Sequence, residues 1–224
     1  PAWAGLSVTM PHKQTLLAHL DVIDPLAEAV GAVNTVVAQR SGAGGALLAG
    51  FNTDVAGIVG ALRETAGRQT SGSPDEYLRV EQAVVLGSGA TACSALAALG
   101  ELRAGRITVV ARRHAGPGRA LSAAHRMGLS IETLTWKPTD AASNIEASRR
   151  LAAADVVIST LPAGAADPLA GPLDALADRS GRSRPTAVML DVVYAPWPTA
   201  LAQAWGRAGG AVAPGWLMLL HQAV

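Results

Sequence analysis

One cysteine, Cys93, is all that the 224 residues contain, so the chain forms no internal disulfide and suits a reducing cytosol. It also lacks an excess of charge of either sign. Eighteen Lys and Arg stand against seventeen Asp and Glu, and a net +1 points neither to nucleic acid nor to an anionic membrane. No apolar run approaches the roughly 18 residues of a membrane span. Pro1-Ala-Trp3 shows no basic-then-apolar leader, so a cytoplasmic protein is expected. His12, His19, His114, His125 and His221 lack metal-ligand spacing and one cysteine does not complete it, so no metal site is expected. What the chain does have is core. Half of its residues are hydrophobic and 16% are charged, which excludes a disordered chain and gives one large domain or two small ones. Beginning at Pro1 and stopping at Val224 just after an apolar run, it reads as a piece of something longer.

The second two thirds alternate β-branched runs with Ala-rich stretches. Strands are expected at 83–86, 107–111, 131–135, 156–159 and 188–192, with a short edge at 211–212. Helices are expected at 92–99, 119–127, 147–153 and 199–207. Strands that are apolar throughout and separated by helices imply a parallel sheet covered on both faces, hence a doubly wound α/β fold. The first eighty residues differ. Strands are expected at 6–9, 35–39 and 47–51, the last two flanking the loop Ser41-Gly-Ala-Gly-Gly45, and helices from Pro11 to about Leu20 and over 55–66. The Gly/Ser/Pro/Arg stretch from Gly67 to Asp75 is the best domain boundary.

Gly87-Ser-Gly89-Ala-Thr-Ala92 follows a strand and opens a helix, as a dinucleotide-binding turn requires. Gly87 permits the tight turn, Gly89 leaves room for a pyrophosphate, and Ala92 lets helix and strand pack closely. The phosphates then face free N–H groups at the positive end of the helix dipole. A glycine turn made only for packing would look similar, but the strand–turn–helix setting favours a nucleotide. The next strand ends Val109-Val-Ala-Arg112-Arg113, with no carboxylate to accept from a ribose 2′-hydroxyl, and an arginine fork suits a 2′-phosphate. NADP is therefore favoured over NAD. Arg113, His114 and Arg119 are lesser phosphate candidates that also suit a solvated loop.

Only Lys13 and Lys137 are lysines among the eighteen basic residues. Lysine can exchange a proton near working pH when its surroundings shift it, whereas arginine effectively cannot. Lys13 lies in Ser7-Val-Thr9-Met-Pro-His-Lys13, Asn34 in Gly31-Ala-Val-Asn-Thr35 and Asp54 closes Asn52-Thr-Asp54, each at the end of an element. Singly, Asp54 suits a helix N-cap, Asn34 a turn and Lys13 a surface position. Together, three element ends could converge on one polar substrate. Cys93 reads as a packing residue although a helix N-terminus could lower its pKa. Trp197 and Trp216 suit core or cleft, and Lys137 suits the surface.

These segments, in this order ahead of a Gly-x-Gly turn, resemble the shikimate dehydrogenase family. Asp191-Val-Val-Tyr-Ala-Pro-Trp-Pro-Thr199 and Gly215-Trp-Leu-Met-Leu-Leu-His-Gln222 resemble its closing motifs. The resemblance implies a doubly wound (Rossmann) NADP-binding domain over 80–212, a linker over 67–79, and a smaller α/β substrate-binding domain of 1–66 with 213–224. It implies reversible NADP-dependent oxidation of shikimate to 3-dehydroshikimate, on the route to chorismate and aromatic amino acids. Lys13 would be the catalytic acid/base with Asp54 its partner. Thr9, Asn34, Asp54, Tyr194 and Gln222 would bind substrate. Gly87, Ser88, Gly89, Ala90, Thr91, Ala111, Arg112, Arg113, Val192 and Gly215 would contact NADP. The family's Asn-Arg-Thr reads Ala111-Arg112-Arg113 here, and its Asn-Ala-Thr-Pro reads Ser159-Thr-Leu-Pro162. Its N-terminal Ser-x-Ser segment, which holds the substrate carboxylate, and its C-terminal helix lie outside 1–224. Rival readings are a quinate or aminoshikimate dehydrogenase using NAD and a catalytically silent, shikimate-binding regulatory domain. A monomer or homodimer is expected, with no nucleic acid or membrane partner.

Overall fold

The computed structural model describes residues 3–40, 45–68, 78–180 and 186–223. The loop 41–44 and most of the boundary stretch expected at 67–75 lie outside them. The elements run β1 (Gly5–Ser7), α1 (His12–Thr15), a 3-10 turn (Leu16–His19), β2 (Val22–Ile23), α2 (Pro25–Val30), β3 (Thr35–Arg40), β4 (Ala46–Phe51) and α3 (Asp54–Gly67). After these come β5 (Gln82–Leu86), α4 (Ala90–Glu101), β6 (Arg106–Ala111), α5 (Ala120–Arg126), β7 (Glu132–Thr135), α6 (Ala141–Ala153) and β8 (Val156–Ser159). The chain ends with a 3-10 turn (Asp167–Leu169), α7 (Ala170–Ser180), β9 (Val188–Asp191), α8 (Ala200–Arg207), β10 (Ala211–Pro214) and α9 (Gly215–His221).

Six strands form one all-parallel sheet in the order β10-β9-β8-β5-β6-β7, the doubly wound arrangement. Its side chains alternate between two cores. Ala83, Val85, Val109, Ile158 and Leu190 face one layer, which includes α3, α4 and α5. Val84, Leu86, Val110, Val157 and Met189 face the other, which includes α6, α7 and α8. Both faces are apolar because both are covered, and the near-continuous Val/Ile/Leu runs follow from that. Leu62 and Ile58, fully buried on α3, would each leave a cavity costing about 2–5 kcal/mol if cut back to alanine.

The N-terminal strands form a separate four-stranded sheet, β1-β3-β4-β2, with β1 and β4 antiparallel to β3 and β2 parallel to β4. Ala27, Val33 and Val36 are its core, packed by Leu16, Leu17 and Leu20. The helix expected from Pro11 to Leu20 is one α-turn followed by a 3-10 turn. The first strand is Gly5–Ser7 rather than 6–9. Element α2 has clear punctuation: Asp24 accepts from the amides of Leu26 and Ala27, Pro25 takes the first turn, and Gly31 closes it in left-handed geometry at φ 75°.

Three fastenings tie the two sheets' surroundings together. The buried Asn52 side chain donates to Ala32 O at 2.9 Å and to Ser94 Oγ on α4 at 3.1 Å. Arg126 at the end of α5 donates to the terminal carbonyls of α2, Ala29 O at 3.0 Å and Val30 O at 2.9 Å. Gln14 Nε2 donates to Gly118 O at 2.6 Å. Element α9 lies against α3 at Gly57, where a Cβ would come within 2.7 Å of Met218 O, so only glycine allows that approach.

Candidate active site

The end of β4 and the start of α3 put Asp54 at the first helical residue, with its carboxylate wholly buried. Thr53, not Asp54, is the N-cap, and the Asp54 side chain turns away to two partners from other elements. Its Oδ2 meets Lys13 Nζ of α1 at 2.5 Å, and its Oδ1 accepts from Asn34 Nδ2 at 2.8 Å. The helix N-terminus favours that negative charge. Lys13 is itself 9% exposed, and its carbonyl accepts from Val33 N at 2.7 Å, which holds α1 against the chain leading into β3.

Asn34 is a bracket. Its second amide hydrogen goes to Thr53 Oγ1 at 2.9 Å, while its Oδ1 accepts from Thr53 N at 2.8 Å and from Thr35 Oγ1 at 3.1 Å. Both of its hydrogens are committed to Thr53 and Asp54. The structure thus brings Lys13, Asn34 and Asp54 into one hydrogen-bonded group. Gln222 follows α9 and packs at Gly57, one turn along α3 from Asp54, and its carboxamide oxygen is buried with no hydrogen-bond partner among the described residues. Thr9 is exposed just before α1, and Tyr194 is 60% exposed in the loop after β9.

The second group lies at the carboxyl ends of β5 and β8, where the strand order reverses. Gly87 turns at φ 107°, and a Cβ there would strike Thr160 Oγ1 at 2.4 Å. Gly89 is the N-cap of α4 with open space above it. A cavity of about 490 Å³ has Gly87, Ser88, Gly89, Ala111, Arg112 and Arg113 on its wall. Ala90 and Thr91 sit in the first turn of α4, and Val192 and Gly215 lie beyond β9 and β10; none of these four is on that wall.

The sequence reading gave no role to Trp136, Thr160, Leu161 or Pro162, and ranked Arg119 low. All five line the cavity. Trp136 and Thr160 follow the last residues of β7 and β8, and the rule that ligands bind at the carboxyl edge of such a sheet was the signal for them. Ser88 Oγ donates to Arg113 O at 2.5 Å and accepts from Arg119 Nη1 at 3.4 Å. Three guanidinium groups and, among the described residues, no carboxylate line the cavity, so it favours anions. His114, a lesser phosphate candidate, is not on that wall, and burial lowers its pKa. Glycine turn, helix N-terminus and arginine forks fit a phosphorylated dinucleotide. Among the described residues, no group of His, Cys, Asp or Glu is placed to hold a metal, and no helix is long and apolar enough to cross a membrane.

A family profile described as the shikimate dehydrogenase substrate binding domain matches residues 1–36. A shikimate dehydrogenase (NADP(+)) from Citrifermentans bemidjiense is 37% identical over 219 residues, covering 97% of this chain and 68% of that protein. One from Rubrobacter xylanophilus is 38% identical over 223 residues, covering 98% and 69%. The crystal structure of Mycobacterium tuberculosis shikimate dehydrogenase superposes at a TM-score of 0.73 with 38% identity, over 100% of this chain and 70% of that one. With these identities spread over nearly all of its length, the chain belongs to the shikimate dehydrogenase family.

Proposed function

We propose that the protein oxidises shikimate reversibly to 3-dehydroshikimate, with Lys13 moving the hydroxyl proton and NADP taking the hydride. The buried Lys13–Asp54 pair, bracketed by Asn34, is the observation that carries this reading. Oxidising a secondary alcohol removes a hydride from carbon and a proton from oxygen. The nicotinamide supplies the hydride acceptor when bound. Lys13 Nζ takes the proton, so it must reach the alcohol with a lone pair available, and Asp54 shares and fixes that proton. In the reverse direction Lys13 returns the proton to the forming alkoxide. Asn34 holds Asp54 in place, and the unsatisfied Gln222 carboxamide oxygen is suited to accept from a substrate hydroxyl. Thr9 and Tyr194 would complete the substrate side.

Arg112, Arg113 and Arg119 would hold the 2′-phosphate, and Gly87 to Thr91 the pyrophosphate, with Val192 and Gly215 near the nicotinamide end. On this reading 1–66 with 213–224 is the substrate-binding domain and 80–212 the nucleotide-binding domain, in a cytoplasmic enzyme that is a monomer or homodimer. The test is NADPH formation by the intact protein from shikimate with NADP, set beside shikimate with NAD and quinate with NADP. Turnover fastest in the first mixture supports the reading. Binding of shikimate without turnover in any mixture would leave the silent regulatory domain.

A further inference from the structure

The element that carries Lys13 cannot hold itself. Helix α1 is four residues long, and its N-cap makes no side-chain hydrogen bond. One turn of helix fixes several backbone dihedrals for very little hydrogen bonding, so α1 keeps its place only through its tethers. One is the Lys13 carbonyl to Val33 N, on the chain leading into β3. Another comes from the adjacent residue. Gln14 Nε2 reaches 104 positions along the chain to Gly118 O, at 2.6 Å.

Gly118 is no ordinary surface partner. It lies in the loop between β6 and α5, whose first residues, Arg112 and Arg113, and last residue, Arg119, all line the arginine-walled cavity. Its carbonyl also receives Cys93 Sγ from α4 at 3.7 Å, so one oxygen joins α1 to the helix opened by the glycine turn. The loop is folded back on itself by Arg119 N to Gly116 O at 3.2 Å and Ser122 Oγ to Gly116 O at 3.1 Å. Gly118 adopts φ 66°, and a Cβ there would come within 2.5 Å of the Gln14 carboxamide.

We propose that Gln14 is a positioning residue that couples the nucleotide cavity to Lys13 through the Gly118 carbonyl. The proposal rests on the dehydrogenase reading above. Phosphates drawn to Arg112, Arg113 and Arg119 order both ends of the loop, which fixes the Gly118 oxygen. That fixes Gln14, and with it the one-turn helix that aims Lys13 Nζ. Nucleotide and alcohol therefore bind better together than apart, and linkage makes the effect reciprocal.

The experiment measures the shikimate dissociation constant of the intact protein with and without saturating NADPH, a pair that does not react because both are reduced. The parent should bind shikimate more tightly with NADPH. In Gln14→Leu this advantage should shrink by about three- to tenfold, the worth of one hydrogen bond. Gly118→Ala, which displaces the Gln14 carboxamide from the other side, should shrink it likewise. A merely structural role would lower thermal stability and leave the ratio unchanged. Hydrogen exchange gives a second reading: NADPH should slow exchange over 10–16 in the parent and not in Gln14→Leu. An unchanged ratio with equal protection in Gln14→Leu overturns the proposal. A parent that makes no NADPH from shikimate overturns the dehydrogenase reading instead, and the exchange comparison then decides the strap by itself.

Discussion

Lys13 and Asp54 are 41 positions apart in the chain and meet at 2.5 Å in a site where the carboxylate is wholly buried and the ammonium nearly so. Burying two charges is expensive unless they face each other and their remaining hydrogen-bonding positions are filled, and Asn34 fills one on Asp54. A pair kept out of water in this way gains little stability over an apolar substitute. Proton transfer, the role proposed for Lys13, would account for keeping such a pair.

Replacing Lys13 should lower turnover with shikimate by about 10²- to 10⁴-fold, the usual worth of a positioned acid/base group, while shikimate still binds. Lys13→Ala alone strands the buried Asp54 carboxylate, at a cost of about 3–5 kcal/mol. The control is therefore Lys13→Met combined with Asp54→Asn, which removes both charges. Calorimetric shikimate binding and the melting temperature, measured on both proteins, separate lost chemistry from lost folding. Turnover near the parent's in either variant would remove Lys13 from the mechanism.

Arg112→Ala should raise KM for NADP by about 10- to 100-fold and leave KM for NAD nearly unchanged, because a charge-assisted contact to a phosphate that NAD lacks is worth about 1.5–3 kcal/mol. Arg112→Lys should recover only part of the loss, since an ammonium lacks the planar fork. Equal losses with both nucleotides would place the phosphate site elsewhere on the cavity wall.

Much of this architecture is written in local pattern. Uninterrupted apolar strands such as Val156–Ser159 and Val188–Asp191 exist because helices cover both faces of their sheet, so fold class follows from composition along the run. Lys13, Asn34 and Asp54 stood out because each was expected at the end of an element. Helix α7 was hidden by Gly171 and Pro172, which read as loop although both fit a first helical turn. Helix α9 was hidden by its brevity, and α2 was overlooked despite Asp24, Pro25 and Gly31. Tertiary partners such as Gln14 with Gly118 leave no trace in local pattern, because topology alone brings them together.

Asp191 gives stability a particular pH dependence. It sits at the end of β9, 1% exposed, and burial raises its carboxyl above the ordinary 3.8 despite hydrogen bonds from Thr199, Val193 and Ser159. A carboxyl raised on folding holds its proton longer in the native state than in the unfolded one. Its contribution is therefore fully present below 3.8 and is lost as pH rises through the native value. Asp191→Asn cannot titrate. The melting temperature of Asp191→Asn minus that of the parent should therefore increase as pH climbs from about 3.8 through the raised value, then level off. A difference that is flat or falls over that span would show that the carboxyl is not raised.

Cys93 tests the balance between burial and field. It lies in the first turns of α4, where the helix N-terminus and the guanidinium groups of Arg126 and Arg119 all favour a thiolate. Burial opposes them and is the larger effect, since the side chain is wholly enclosed and its pKa is pushed up to about 11. At pH 8 the thiolate fraction is then on the order of 10⁻³, and the reagent has no path to the sulfur. Native protein should react with a thiol-alkylating reagent at least about 100-fold more slowly than denatured protein. Across a urea series its labelling should follow the loss of near-ultraviolet circular dichroism, because exposing Cys93 requires unfolding the core beneath the nucleotide turn. Rapid labelling with the dichroism intact would mean that α4 opens locally, and the glycine turn would then lack the rigid helix end that a pyrophosphate needs.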